Sequence, residues 1–139
     1  MLQQAHHRLI IQTQGPGFTD VTFALGSWLE SIAARDGLLT ILVRHTSASL
    51  TIQENADPDV LRDLAESLER AAPRHHRYAH STEGPDDMPA HIKSMLTSTT
   101  LGIPVIAGRA VLGTWQAVYL VEHRDRPHTR DIALHYVGT

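Results

Sequence analysis

His45, His80 and His91 each stand beside turn-forming or helix-starting residues, where side chains face a cleft more readily than they fill a core. Three imidazoles suffice for a catalytic zinc-type centre, which commonly takes three protein ligands and leaves a fourth position for water or substrate. The chain has no cysteine, so any metal has to be held by imidazole, carboxylate or water. The three histidines are far apart in sequence, unlike ligands one helical turn apart, and hydrogen bonding to loop carbonyls is an alternative role for them. Carboxylates crowd the same stretches: Glu54, Asp57, Asp59 and Asp63 follow His45, and Glu83, Asp86 and Asp87 lie between His80 and His91. One or two of these, with water, would hold a hard cation such as magnesium. Plainer roles compete. Asp57 precedes Pro58 as a helix N-cap, Asp59 and Asp63 suit the positive end of a helix, and Glu83-Gly84-Pro85-Asp86-Asp87 also reads as a tight turn.

Donors around these groups suit an anion. Ser47, Ser49, Thr51, Lys93 and Ser94 lie near two helix starts, whose free backbone amides attract phosphate. No GxxxxGK or GxGxxG segment is present, so phosphate recognition would rest on convergence in space. Gln116 and Glu122 share one parity of an otherwise apolar stretch and need polar partners, which makes both candidates to support the site. Trp115 reads as a core residue, and His6, His7, His75, His76, His123 and His128 read as surface residues.

The elements that must position these groups follow from periodicity. Residues 6–13 read as a strand closed by Gly15-Pro16-Gly17, residues 22–35 as a helix, and residues 38–43 as a buried strand. The segment 45–52 alternates and places His45 on its polar face with the hydroxyls. Asp57-Pro58 starts a helix that ends near Ala72 before Pro73, and Met88-Pro89 starts a short one that runs to about Leu96. Strands over 103–107 and 110–123 form a hairpin through Gly108-Arg109, and residues 132–137 supply the last strand. Val111 to Val121 is apolar on both faces, which predicts a central strand or one that meets another subunit. Strands predominate among two main helices and one short one, so the expected class is α+β, in one domain over residues 1–139.

A net charge of -3 with scattered basic residues predicts no nucleic-acid partner. The first residues lack the apolar run of a signal peptide and no stretch approaches membrane-spanning length, so the expected location is cytoplasmic, with no membrane partner.

His45-Thr46-Ser47-Ala48, Glu54-Asn55-Ala56-Asp57-Pro58-Asp59, the run His80 to His91 with EGPDDMPAH, and Leu112-Gly113-Thr114-Trp115-Gln116 followed by Glu122 resemble, in order, the motifs of the YjbQ-type family. That family is also labelled secondary thiamine-phosphate synthase, and the resemblance covers nearly the whole chain. It implies packed antiparallel or mixed β-sheets and a homotrimer with sites near subunit boundaries. It further implies a site of His45, His80 and His91, as metal ligands or proton carriers, with Asp57, Asp59, Glu83, Asp86 and Glu122 as catalytic carboxylates. Ser47, Ser49, Asn55, Lys93, Ser94, Gln116 and Arg130 are then the ligand-binding set. Asp87 stands where Asn is more often expected, adding a negative charge that favours a cation, and Gln53 is a smaller departure.

The label implies joining an aminopyrimidine diphosphate to a thiazole phosphate with loss of pyrophosphate. Such chemistry needs a cation or basic groups at the departing diphosphate, for which Lys93, Arg124 and Arg130 are available. A cluster richer in histidine than in lysine or arginine suits metal-assisted hydrolysis or acid–base work at least as well. The expected function is a metal-assisted enzyme acting on a small phosphorylated metabolite, with zinc or magnesium as cofactor and thiamine-phosphate synthase as its most nameable reaction. The alternative is a non-catalytic trimeric protein that binds a metal or an anion.

Overall fold

A computed structural model describes residues Met1 to Thr139. Its elements run β1 (Gln3–Gln12), β2 (Gly17–Asp20), α1 (Thr22–Ser31), β3 (Gly37–Val43), β4 (Ala48–Glu54), α2 (Pro58–Ala71), α3 (Asp87–Leu96), β5 (Thr100–Ile106), β6 (Arg109–Ala110), β7 (Gln116–Glu122) and β8 (Thr129–Gly138). The strands form a five-stranded sheet in the order β1-β8-β3-β5-β6 and a three-stranded sheet in the order β2-β7-β4. All pairings are antiparallel, one of the two arrangements expected, and the class is α+β.

Period-two alternation decides which side chains go inside. On β3, Leu39, Ile41 and Val43 face the core while Leu38 and Leu42 stay partly in water; on β8 the same alternation buries Ile132, Leu134 and Tyr136. Leu50 of β4 with Val118 and Leu120 of β7 completes one hydrophobic cluster of 17 buried residues, to which α1 adds Leu25, Trp28 and Leu29. No helix is long and apolar enough to cross a membrane.

Several boundaries differ from the sequence reading, each for a local reason. Gly15-Pro16-Gly17 closes β1 and also opens β2, which lies along β7 through the pairs Gly17–Glu122 to Asp20–Tyr119. Helix α1 stops at Ser31 because Ala33 adopts a positive φ of 53° and its amide turns back to the Glu30 carbonyl. The apolar stretch 111–121 is not one strand. A turn in which the Gln116 amide donates to the Gly113 carbonyl, and the Gly113 amide to Gln116 Oε1, cuts it so that only Gln116–Glu122 joins the smaller sheet. Trp115 sits within that turn and is 63% exposed, so it is not a core residue.

Gly37 pairs with Gly138 where β3 meets β8, and a Cβ on Gly37 would lie 2.2 Å from the Val137 carbonyl oxygen. Only hydrogen fits there. Replacing Gly37 by alanine is expected to lower stability by about 1–3 kcal/mol through overpacking, read as a lower urea midpoint at unchanged slope; an unchanged midpoint contradicts this close approach.

Candidate metal centre

Gly84, at φ +104°, turns the segment between His80 and Asp86, and α3 begins immediately afterwards. The helix places Asp87 and His91 four residues apart on one face, and the turn brings His80 back to the same carboxylate. His80 Nε2 lies 2.5 Å and His91 Nε2 3.3 Å from Asp87 Oδ2. The three ligand atoms fall within 4.8 Å of one another, and the imidazoles meet edge to face at 5.5 Å.

The hydrogen bonds of His91 decide its tautomer. Its Nδ1 lies 3.0 Å from the Thr46 carbonyl oxygen, which can only accept, so Nδ1 carries the hydrogen. Nε2 then turns a lone pair towards the Asp87 carboxylate. That contact is repulsive unless a proton or a metal ion lies between the two. Ligand atoms of a tetrahedral zinc site, about 2.0–2.2 Å from the ion, stand roughly 3.4 Å apart. The 3.3 Å between His91 and Asp87 fits this spacing, and His80 would have to draw back by a fraction of its present contact. Two imidazoles and one carboxylate leave a position for water or substrate.

Arg124 holds the acidic side of the centre. Its Nε donates to Asp86 Oδ2 at 2.8 Å, Nη1 to Asp87 Oδ1 at 2.8 Å and Nη2 to the Glu83 carbonyl at 3.0 Å. Burial disfavours the charged form of Asp86, but Arg124 and the Asp125 amide outweigh it and lower the pKa. For Asp87, burial is likewise overcome, by the hydrogen bond from His80 and the charge of Arg124. Beside His80 opens a cavity of about 430 Å³ whose wall includes Arg74, His76, Arg77 and Tyr78. A larger depression of about 870 Å³ lies between α1 and the β5–β6 turn; lined largely by small residues such as Gly26, Ala107 and Gly108, it gathers no set of ligating side chains.

The three-histidine set expected from sequence is not assembled: Asp87 takes the third place. His45 Nε2 accepts the Asp131 amide at 2.9 Å, fastening the β3–β4 loop to β8, and burial followed by the charge of Arg130 lowers its pKa. Glu122 and Arg130 form a buried ion pair, and Arg130 also donates to Ser47 Oγ at 3.0 Å. Ser94 donates to the Ala48 carbonyl, while Lys93 is buried against Glu69. Ser49 is buried beside His123. Asp57 caps α2 by accepting the Asp59 amide at 2.9 Å, Asp59 pairs with Arg62 on the surface, and Asn55 is exposed. Glu83 contributes its carbonyl, and Gln116 closes its turn.

Two readings are corrected and one is narrowed. His123 is a buried residue and not a surface one; it follows β7, which ends at Glu122. Arg130 binds a carboxylate and leaves little of its guanidinium free for phosphate. Asp87, read from the sequence as one of several carboxylates that would hold a cation, is the one that meets His80 and His91, and its four-residue spacing to His91 becomes visible once the helix is begun one residue before Met88.

The Arg124 contacts set a pH dependence with a definite sign. A carboxylate whose folded pKa is depressed contributes stability above its unfolded pKa of about 3.9, and the contribution is lost as pH falls through the lower folded value. Arg124→Met is therefore expected to be less stable than the parent at pH 7, with the gap narrowing as pH falls below the unfolded value of about 3.9; urea midpoints at pH 7 and at acid pH check this, and a gap that persists unchanged in acid contradicts it.

Residues 7–139 match the family model described as UPF0047 protein YjbQ-like. A UPF0047 protein of Synechocystis sp. is 50% identical over 98% of this chain and 93% of its own length, and the YjbQ protein of Salmonella typhimurium is 42% identical over 91% and 94%. Among solved structures, an uncharacterised YjbQ/UPF0047 protein of Clostridium acetobutylicum superposes with a TM-score of 0.85 at 33% identity, covering 92% of this chain and 97% of that one. A protein of unknown function from Sulfolobus solfataricus shares the fold at a TM-score of 0.92 and 19% identity, over 100% of both chains. The motifs around His45, His80 and Gln116, the two-sheet fold and these matches agree: the chain belongs to the UPF0047, YjbQ-like family.

Proposed function

We propose that the protein is a metal-assisted enzyme acting on a small phosphorylated metabolite, with His80, Asp87 and His91 as the metal ligands. The observation that carries this reading is the convergence of His80 Nε2 and His91 Nε2 on one oxygen of the Asp87 carboxylate, with His91 oriented by the bond from Nδ1 to the Thr46 carbonyl. Two nitrogens and one oxygen suit zinc or a similar borderline ion better than magnesium, which prefers oxygen ligands. Such an ion, when bound, supplies Lewis acidity to a phosphoryl oxygen. Arg77 and His76 favour an anionic group in the cavity beside His80, and Arg74, although paired with Asp125, adds positive potential to its wall. Arg124 keeps Asp87 ionised, as a ligand has to be.

Thiamine-phosphate synthesis remains the reaction to try first, because departure of a diphosphate calls for this pairing of a cation with basic side chains. The reading includes a homotrimer. Leu38, Leu42, Ile106 and Val137 share the outer face of the larger sheet and stay exposed in the isolated chain, which favours cover by another subunit.

Elemental analysis of untagged protein is expected to find about one metal ion per chain, with occupancy lost in His80→Ala, His91→Ala and Asp87→Asn and retained in His45→Ala. Occupancy unchanged in the first three removes the ligand assignment. Pyrophosphate release from the pyrimidine diphosphate and thiazole phosphate should fall at least about 10-fold in the same three variants while light scattering still reports the parent's mass. Metal binding without turnover would instead support the non-catalytic reading.

A further inference from the structure

Each nitrogen of the Arg124 guanidinium has its own acceptor around the first turn of α3. Nε donates to Asp86 Oδ2, Nη1 to Asp87 Oδ1 and Nη2 to the Glu83 carbonyl oxygen. The main chain beneath it is fixed as well: the Arg124 amide donates to Glu122 Oε2 at 3.1 Å, and the Asp125 amide to Asp86 Oδ2 at 2.9 Å. A planar guanidinium presents its donors in a rigid fork, so the groups it joins have little freedom to turn.

The two oxygens of Asp87 are thereby given different partners. Oδ1 accepts from Arg124 Nη1 at 2.8 Å, while Oδ2 lies 2.5 Å from His80 Nε2 and 3.3 Å from His91 Nε2. A carboxylate can take a metal ion through one oxygen or through both. Binding through both requires the ion to approach Oδ1 as closely as Oδ2. Here a charge-assisted hydrogen bond already occupies Oδ1, and the positive charge of Arg124 opposes a second cation on that side. Asp86, whose Oδ2 accepts from Arg124 and from the Asp125 amide, is not among the side chains whose ligand atoms converge.

The two sides of the cluster also differ in exposure. The Asp87 side chain is 3% exposed, whereas His80 is 41% and His91 33% exposed, and His80 borders the cavity that holds Arg77. An ion on Oδ2 thus has protein behind it and open space before it.

We infer that Arg124 is a positioning residue, an inference that rests on the ligand set proposed above. It makes Asp87 a ligand through Oδ2 alone, and so keeps a fourth coordination position open on the side of the His80 cavity. A carboxylate free to bind through both oxygens would fill that position, where water or substrate has to enter.

Cobalt(II) in place of zinc reports coordination number, because its visible absorption bands are strong in four-coordinate sites and weaken as ligands are added. The full chain, stripped with a chelator and reloaded with cobalt(II), is expected to show strong bands. Arg124→Lys is expected to show weak ones and to bind cobalt about 10–100-fold less tightly. Lysine keeps the positive charge but not the fork, so the change reports geometry. Arg124→Gln, with the same expectation, serves if the lysine variant does not fold. A role in stability alone would lower the urea midpoint and leave the bands as in the parent; that result, or unchanged affinity, overturns the inference. Cobalt uptake with weak bands already in the parent overturns the inference and spares the ligand assignment. A parent that takes up no cobalt removes the ligand assignment, and the inference with it.

Discussion

A buried ion pair between Glu122 and Arg130 joins the two sheets, and much of the site depends on it. Glu122 closes β7 in the smaller sheet and Arg130 lies near the start of β8 in the larger one. Removing two charges from water is costly, and their attraction offsets this only when the remaining hydrogen-bonding capacity is used. Here it is: Thr13 Oγ1 donates to Glu122 Oε1, the amides of His123 and Arg124 donate to Oε2, and Arg130 reaches on to Ser47. Burial opposes the charge of Glu122, yet Arg130 and Thr13 prevail and lower its pKa. The consequences run outward in two directions. The fixed Arg124 backbone aims its guanidinium at Asp86 and Asp87, and the fixed Ser47 loop presents the Thr46 carbonyl that orients His91.

Helix α3 therefore works with two faces. One carries Asp87 and His91 to the cluster with His80, and the other buries Lys93 and Ser94 against α2 and β4. The buried face holds the helix in place, while the first face gathers a donor set whose charges are balanced by Arg124. His45, the residue with the plainest chemical promise in the sequence, turns out to secure a loop two residues from Ser47. Its contribution to the centre is through the position of Thr46.

What the sequence discloses depends on the range of the interaction. The cap at Asp57, the proline starts and the existence of β3 are local, and their outlines were readable, although β3 alternates where the sequence reading had it buried throughout. Family motifs pointed to His80 and His91, and both stand in the cluster. Asp87 was obscured because a turn and a helix N-terminus explain an Asp-Asp pair equally well until His80 is seen folding back over it. The apolar run ending at Val121 hid a change of path: its first part is a turn outside the sheet, decided by the Gln116 side chain rather than by hydropathy. His45 separated from the other histidines because its partner, the Asp131 amide, lies 86 residues away, beyond any spacing rule.

Helix α2 has a strong apolar stripe but no buried residue, and it is tied to the rest chiefly through Lys93–Glu69 and the Arg74–Asp125 pair at its end. Elements that bury little open at a lower free energy than the core around them. The helix can thus lift while both sheets, α3 and the cluster of His80, Asp87 and His91 keep their positions. In evolutionary terms, its residues can drift with little effect on folding, so the surface of α2 can change without disturbing the side-chain cluster on the far side of α3.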